Sequence, residues 1–323
     1  MITLQYSRLL SRATAIVSLV MLACVAQAGS VQELRFEPND TTRDRVVPIK
    51  VYCKSSNQSQ PVVFFSHGLG GSRENSAYLG NYWAVAGYIA IFVQHPGSDE
   101  EVWKSVPAAE RLSALKKSVS VKTSRDRFID IPFVIDQLEI WNEQAGHPLE
   151  GMLDLSHIGM SGHSYGAVTT MAVAGRKYPL FSNFADQRID AFLAMSPQPA
   201  RGNRTKKFFG HLNKPTLLMT GTKDGSPINA NMKPSSRRKV YAALPPSNKF
   251  QLVLDGANHF TFGDANSPRN KGLNPKHHSA IQQISLQFWN AYLKDDTNAK
   301  QWLQSMRAIN DTGLSQADDW EWK

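Results

Sequence analysis

Short β-rich runs alternate with longer helical patterns through most of this chain, and that alternation is the strongest constraint on its fold. It is the order expected of a mostly parallel sheet covered by helices on both faces. Val31 to Glu37 and Val46 to Cys53 read as early strands that form an antiparallel entry hairpin. Pro61 to Ser66 and Tyr88 to Val93 read as short buried strands. Between them, Tyr78, Leu79, Tyr82, Trp83 and Val85 make one apolar face of a helix over Ser76 to Ala86. Further strands are expected at Ile158 to Met160, Ala191 to Met195, Thr216 to Met219 and Phe250 to Leu254, the last of these closing the strand series. Helices are expected over Arg125 to Gln144, Gly166 to Ala174 and Ser279 to Leu293. Pro132 should kink the first of these or mark its start. Ser98 to Val121 is irregular and charged, as suits a surface excursion or part of a lid. Pro197 to Leu212 reads as an insertion loop.

A chain of 323 residues, 41% of them apolar, can bury one sizeable core without disulfide or metal staples. No internal repeat, low-complexity linker or domain boundary interrupts it, so residues 29–323 are expected to form a single domain. Residues 1–28 have the pattern of a signal peptide: Arg8 and Arg12 precede the apolar stretch Ala15 to Ala26, and Ala26-Gln27-Ala28 offers a cleavage site. The expected location is secreted or periplasmic, with no stable membrane insertion once the segment is removed. Retention as an anchor, or lipoprotein processing at Cys24 behind a weak lipobox, are the rival fates. Cleavage would remove Cys24 and leave Cys53 alone, a buried structural thiol with no partner for an internal disulfide. The formal net charge is +9, and losing Arg8 and Arg12 would leave two fewer, +7. The basic groups Arg201 to Lys207 and Lys233 to Lys239 carry no nucleic-acid-binding signature and read as solvated surface, so no nucleic-acid partner is expected.

Gly162-His163-Ser164-Tyr165-Gly166 falls between a β-like segment and a helical one. Glycines on either side of a serine suit a sharp strand-to-helix turn, which holds the hydroxyl exposed in a strained backbone conformation. Ser164 is therefore the candidate nucleophile, and the Tyr165 N–H at the start of the helix is a candidate oxyanion donor. His163 is too near in sequence to serve as the base and is expected to be structural or a pocket wall. Upstream, Phe64-Phe65-Ser66-His67-Gly68-Leu69-Gly70-Gly71 runs from a strand into a glycine-rich turn that can turn main-chain N–H groups toward an anion. The Leu69 N–H is the second candidate donor, and His67 is expected to support the loop through hydrogen bonds. The loop lacks the lysine and hydroxyl residue of a nucleotide-binding phosphate loop.

Asp224 follows the strand Thr216 to Met219 in a Gly-rich turn, where a carboxylate can orient an imidazole. His259 follows Phe250 to Leu254 in the turn Asp255 to Phe260 and is the candidate general base, which completes the chain order Ser, Asp, His. Asp255 and Asp264 crowd the loop of that histidine and are weaker acids, and His277 and His278 read as surface residues. His95-Pro96-Gly97-Ser98-Asp99 is read either as a pocket loop, with His95 among the candidate pocket residues, or as a plain turn. Trp103 is a candidate acyl-binding wall, with a core role equally open. No metal-ligand spacing is present among the 9 histidines, and the chemistry calls for neither a metal nor an organic cofactor.

With these segments in place, the chain resembles the α/β-hydrolase superfamily, and more narrowly the platelet-activating-factor acetylhydrolase and predicted dienelactone hydrolase group. The resemblance spans roughly Val46 to Leu293 and rests on His67-Gly68-Leu69-Gly70, His95-Pro96-Gly97-Ser98, Gly162-His163-Ser164-Tyr165-Gly166 and Asn258-His259-Phe260. It implies an α/β-hydrolase fold and cleavage of a small-molecule or polymeric carboxylic ester, with short to medium acyl or polyester-like substrates. By the same resemblance Ser164 is the nucleophile, His259 the base, and the Leu69 and Tyr165 N–H groups the oxyanion donors. The plasma acetylhydrolases place their acid one strand earlier, where this chain has Met195 and Ser196, and dienelactone hydrolases use cysteine where this chain has Ser164. An amidase or peptidase is an alternative, as is a non-catalytic secreted binding protein on the same scaffold.

Overall fold

The computed structural model describes residues 30–179, 183–264 and 274–323, of which Val31–Lys323 cluster as one compact unit. The expected signal segment, with Cys24, lies outside the described residues. The strands are β1 (Gln32–Phe36), β2 (Asn39–Asp40), β3 (Arg45–Val46), β4 (Ile49–Cys53), β5 (Gln60–Ser66), β6 (Ile89–Val93), β7 (Leu153–His163), β8 (Ile189–Met195), β9 (Thr216–Lys223), β10 (Lys249–Asn258) and β11 (Asp319–Trp322). All but β2 and β3, which pair with each other, form a nine-stranded sheet in the order β1-β4-β6-β5-β7-β8-β9-β10-β11. The run from β6 to β10 is parallel throughout, whereas β1, β4 and β11 pair antiparallel at the margins.

The central strands are apolar on both faces, as parallel strands sandwiched between helices must be. In β5, Val63 and Phe65 face one core and Val62 and Phe64 the other. The first core is closed by Leu79 and Trp83 of α1 (Ala77–Val85) and by Ile284 and Phe288 of the helix Pro275–Leu293. The second is closed by Ile131, Val134 and Leu138 of the helix Val121–Glu143. The short helices α2 (Glu101–Lys104) and α3 (Arg111–Ser118) fill the irregular segment after β6 and precede that long helix, α4. The chain is thus a mostly parallel mixed sheet with helices packed on both faces, an α/β fold. No helix among the described residues is long and apolar enough to cross a membrane.

Four local expectations need correction. Helix α4 begins at Val121 and runs through Pro132. Its start is set by a capping box in which the Ser120 hydroxyl accepts from the Thr123 N–H, while the Thr123 hydroxyl accepts from the Ser120 N–H. Strand β7 is longer than Ile158 to Met160, because register shifts let Leu153 and Asp154 pair with β5 ahead of the apolar stretch. Strand β10 likewise continues past Leu254 to Asn258 through an irregularity in which Gly256 takes a φ of 70°. Finally, β11 adds a strand after the expected last one; its Trp320 packs on Phe250 with ring centroids 5.8 Å apart.

Candidate active site

The parallel strands direct their C-terminal ends to one rim of the sheet, the usual place for a site in an open α/β fold. Ser164 stands there, between the end of β7 and the start of the helix Tyr165–Val173, here α5. Its backbone has φ 58° and ψ −108°, a region that side chains other than glycine rarely occupy, and its N–H donates to the Met195 carbonyl at 2.9 Å. The flanking glycines are needed for space: a Cβ at Gly162 would lie 2.5 Å from the Gly166 backbone, and one at Gly166 would lie 1.8 Å from the Ser66 carbonyl oxygen. The chain can make this turn only because both positions lack a side chain.

His259 opens the 3-10 turn His259–Phe262, which directly follows β10. Asn258 caps that turn: its side chain accepts from the Phe260 N–H at 2.8 Å, and its own N–H donates to the Thr261 hydroxyl at 3.0 Å. The imidazole Nδ1 lies 2.7 Å from Asp224 Oδ1, and Nε2 lies 2.8 Å from Ser164 Oγ. An ionised carboxylate can only accept, so the shorter contact to Asp224 favours a proton on Nδ1 over acceptance there from Arg237 Nη2, which lies 3.1 Å away, and leaves Nε2 to accept from the Ser164 hydroxyl.

Asp224, the residue after β9, is fully buried, and its second oxygen accepts from the Thr220 hydroxyl at 2.9 Å. Burial raises its pKa. The His259 hydrogen bond and the charge of Arg237 outweigh that effect and hold the carboxyl below its ordinary range. Arg237 lies within the basic stretch that reads as solvated surface, yet it has no exposed area. Its Nε sits 3.0 Å from Asp224 Oδ1 and donates to the Asp224 carbonyl at 2.7 Å. Its Nη groups donate to the Ser196 and Gly225 carbonyls at 2.7 Å each, which ties the ends of β8 and β9 together beneath His259. No local sequence signal separates buried Arg237 from its half-exposed neighbour Arg238.

The loop after β5 lies against the same serine: a Cβ on Gly68 would be 3.5 Å from Ser164 Cβ. His67 Nδ1 donates to the Gly68 carbonyl at 2.6 Å, and its Nε2 accepts from the His95 N–H at 3.0 Å. Burial pushes the pKa of this ring well below the usual histidine value, in keeping with a neutral ring that donates on one side and accepts on the other. The half-buried Leu69 precedes Gly70, whose N–H donates to the Ser98 carbonyl at 2.9 Å. Tyr165 is the first residue of α5, so its N–H has no acceptor within the helix.

The three candidate pocket residues take different positions. His95 has no exposed surface; it lies beneath the loop, with Nε2 2.9 Å from Ser66 Oγ and Nδ1 2.9 Å from Asp130 Oδ2. Burial and the nearby charge of Arg127 push its pKa down to about 3 despite the pull of Asp130. Trp103, half-buried in α2, donates from its indole N–H to the Gly70 carbonyl at 2.7 Å. His163 stands beside the serine-bound imidazole, its ring centroid 4.8 Å from that of His259 and 5.8 Å from that of Phe262.

Asp255 accepts from Thr222, and Asp264 accepts from the Ser76 N–H. His277 is buried rather than on the surface. His278 is half-buried and stacks on Tyr78 at 4.2 Å, with its Nε2 2.9 Å from the Thr261 carbonyl oxygen, so it braces the 3-10 turn. Cys53 is a buried free thiol in β4. Among the described residues no group of three or more His, Cys, Asp or Glu side chains is placed to hold a metal ion. No protein-family model matches the chain, and no curated protein matches it significantly.

Proposed function

We propose that this chain is a serine hydrolase of the α/β-hydrolase superfamily that cleaves carboxylic esters through an acyl-enzyme. What carries the reading is the unbroken run of hydrogen bonds from Asp224 through His259 to Ser164, with the serine held on a strained strand-to-helix turn. In the first half-reaction Ser164 Oγ attacks the ester carbonyl while His259 Nε2 takes the hydroxyl proton. The Asp224 carboxylate stabilises the imidazolium and keeps its orientation. Negative charge that develops on the carbonyl oxygen is met by the N–H groups of Leu69 and Tyr165. His259 then protonates the departing alcohol, and in the second half-reaction it activates water to release the acid.

Ester rather than amide cleavage is favoured by the resemblance to the acetylhydrolase and dienelactone hydrolase group, since the triad alone serves both chemistries. Short to medium acyl or polyester-like esters are the proposed substrates, met outside the cytoplasm after removal of residues 1–28. A panel of esters of graded acyl length, each paired with its amide, tests this against Ser164→Ala protein. Ester turnover that is lost in the variant supports the reading. Equal turnover of a peptide amide and its matching ester contradicts the ester preference.

A further inference from the structure

Arg127, on α4, is fully buried, and among the described residues no carboxylate lies within salt-bridge distance of it. A buried cation without an ionic partner is costly, so the groups that hold it are informative. All four of its hydrogen bonds go to neutral oxygens around the proposed oxyanion site. Its Nε donates to Thr169 Oγ1 at 3.0 Å, on α5, and its Nη1 donates to Ser98 Oγ at 2.9 Å. Its Nη2 donates to Ser66 Oγ at 2.9 Å and to the His67 carbonyl. The guanidinium also lies over the Tyr165 ring, 4.6 Å from its centroid. One side chain therefore touches both segments that carry the proposed donors.

The link to Leu69 runs through a single peptide. Arg127 holds the His67 carbonyl, and the His67 ring donates to the Gly68 carbonyl. The Gly68 carbonyl and the Leu69 N–H belong to one planar unit, so fixing the oxygen fixes the direction of the N–H. Ser66 Oγ, which accepts from Arg127, is in turn tied through His95 to Asp130, and Arg43 and Arg45 bind that carboxylate at 2.8 Å each. We propose that Arg127 is a positioning residue that acts through His67 to hold the Leu69 N–H on the developing oxyanion. This inference rests on the ester-hydrolase reading and adds to it a residue that touches no reacting atom.

The test compares wild-type enzyme with Arg127→Lys and Arg127→Met. Each is normalised by active-site titration of Ser164 and assayed for kcat, KM and inhibition by a trifluoromethyl ketone, which forms an oxyanion on the enzyme. The expected result is a fall in kcat of about 10- to 100-fold with KM nearly constant, and a matching loss of inhibitor affinity. Lysine should retain part of the rate because it can still reach one of these oxygens. In a His67→Ala background the Arg127→Lys change should have little further effect on kcat, since the two act in series. Should Arg127→Met fail to fold, Arg127→Lys decides alone. A Lys variant with wild-type kcat and inhibitor affinity per titrated site overturns the inference, even if its melting temperature falls. Absence of ester turnover in the wild type would instead remove the hydrolase reading on which the inference stands.

Discussion

Gly166 packs so closely beneath the β5 loop that a Cβ on it would lie 1.8 Å from the carbonyl oxygen of Ser66. This contact joins the turn that carries Ser164 to the loop that carries Leu69, and neither backbone can withdraw without disturbing the other. Gly166→Ala should destabilise the protein by about 3 kcal/mol or more, toward the upper end of overpacking costs. Gly68→Ala offers a contrast, because its Cβ would meet nothing nearer than 3.5 Å and should cost less than about 1 kcal/mol. Denaturant melts of the two variants check the pair, and equal stabilities would contradict the packing argument.

Asp224→Asn keeps the size of the side chain but can present an N–H to His259 Nδ1, favouring the tautomer that cannot accept from Ser164. The loss in kcat should be on the order of ten-thousand-fold near neutral pH. Steady-state kinetics on the folded variant measures it. A loss below about tenfold would mean that Asp224 does not orient the imidazole.

Arg237→Met tests the buried cation beneath His259 through its effect on stability. It removes the charge that faces Asp224 and leaves the Ser196, Asp224 and Gly225 carbonyls without this donor. Breaking a buried pair from one side typically costs about 3–5 kcal/mol. Calorimetry of the variant should show a clearly lowered melting temperature, and an unchanged one would contradict the role assigned to the buried guanidinium.

Stability should fall as the solution is acidified. His95 is held neutral in the fold, with its pKa pushed down to about 3 first by burial and then by Arg127. In the unfolded chain a histidine titrates near ~6.5. Between these values the unfolded state binds the proton and the folded state does not, so the contribution is complete above the unfolded value and declines as pH drops toward the folded one. One such group gives a slope of up to about 1.4 kcal/mol per pH unit. Below the ordinary carboxylate range Asp224, whose pKa is also depressed, adds a loss of the same sign. Melting temperatures measured from neutral pH down to about pH 4 should decline steadily. A flat profile would contradict a neutral buried His95.

Much of this architecture is legible along the chain because burial on both faces leaves near-continuous apolar runs such as Pro61 to Ser66 and Ala191 to Met195. Ser164, Asp224 and His259 each follow such a run, which is why they stand on one rim of a parallel sheet. Boundaries were harder to read where a non-local contact decides them. β7 gains Leu153 and Asp154 through pairing with β5, and β11 exists only because β10 offers it an edge. Pro132 shows the opposite case, a helix breaker carried within a long helix whose apolar face is anchored in the core. Arg127, Arg237 and His95 gave no local sign of burial, since an isolated charged or polar residue looks the same in sequence whether its partners are water or distant carbonyls. Their surroundings come from loops far apart in the chain.

The most direct measurement is covalent capture by a fluorophosphonate followed by peptide mapping. Stoichiometric modification of Ser164 Oγ is expected in the folded wild type, with no modification in Ser164→Ala and much slower capture in His259→Ala. A folded wild-type protein that stays unlabelled, or one labelled at a different residue, would contradict the assignment of Ser164 as nucleophile.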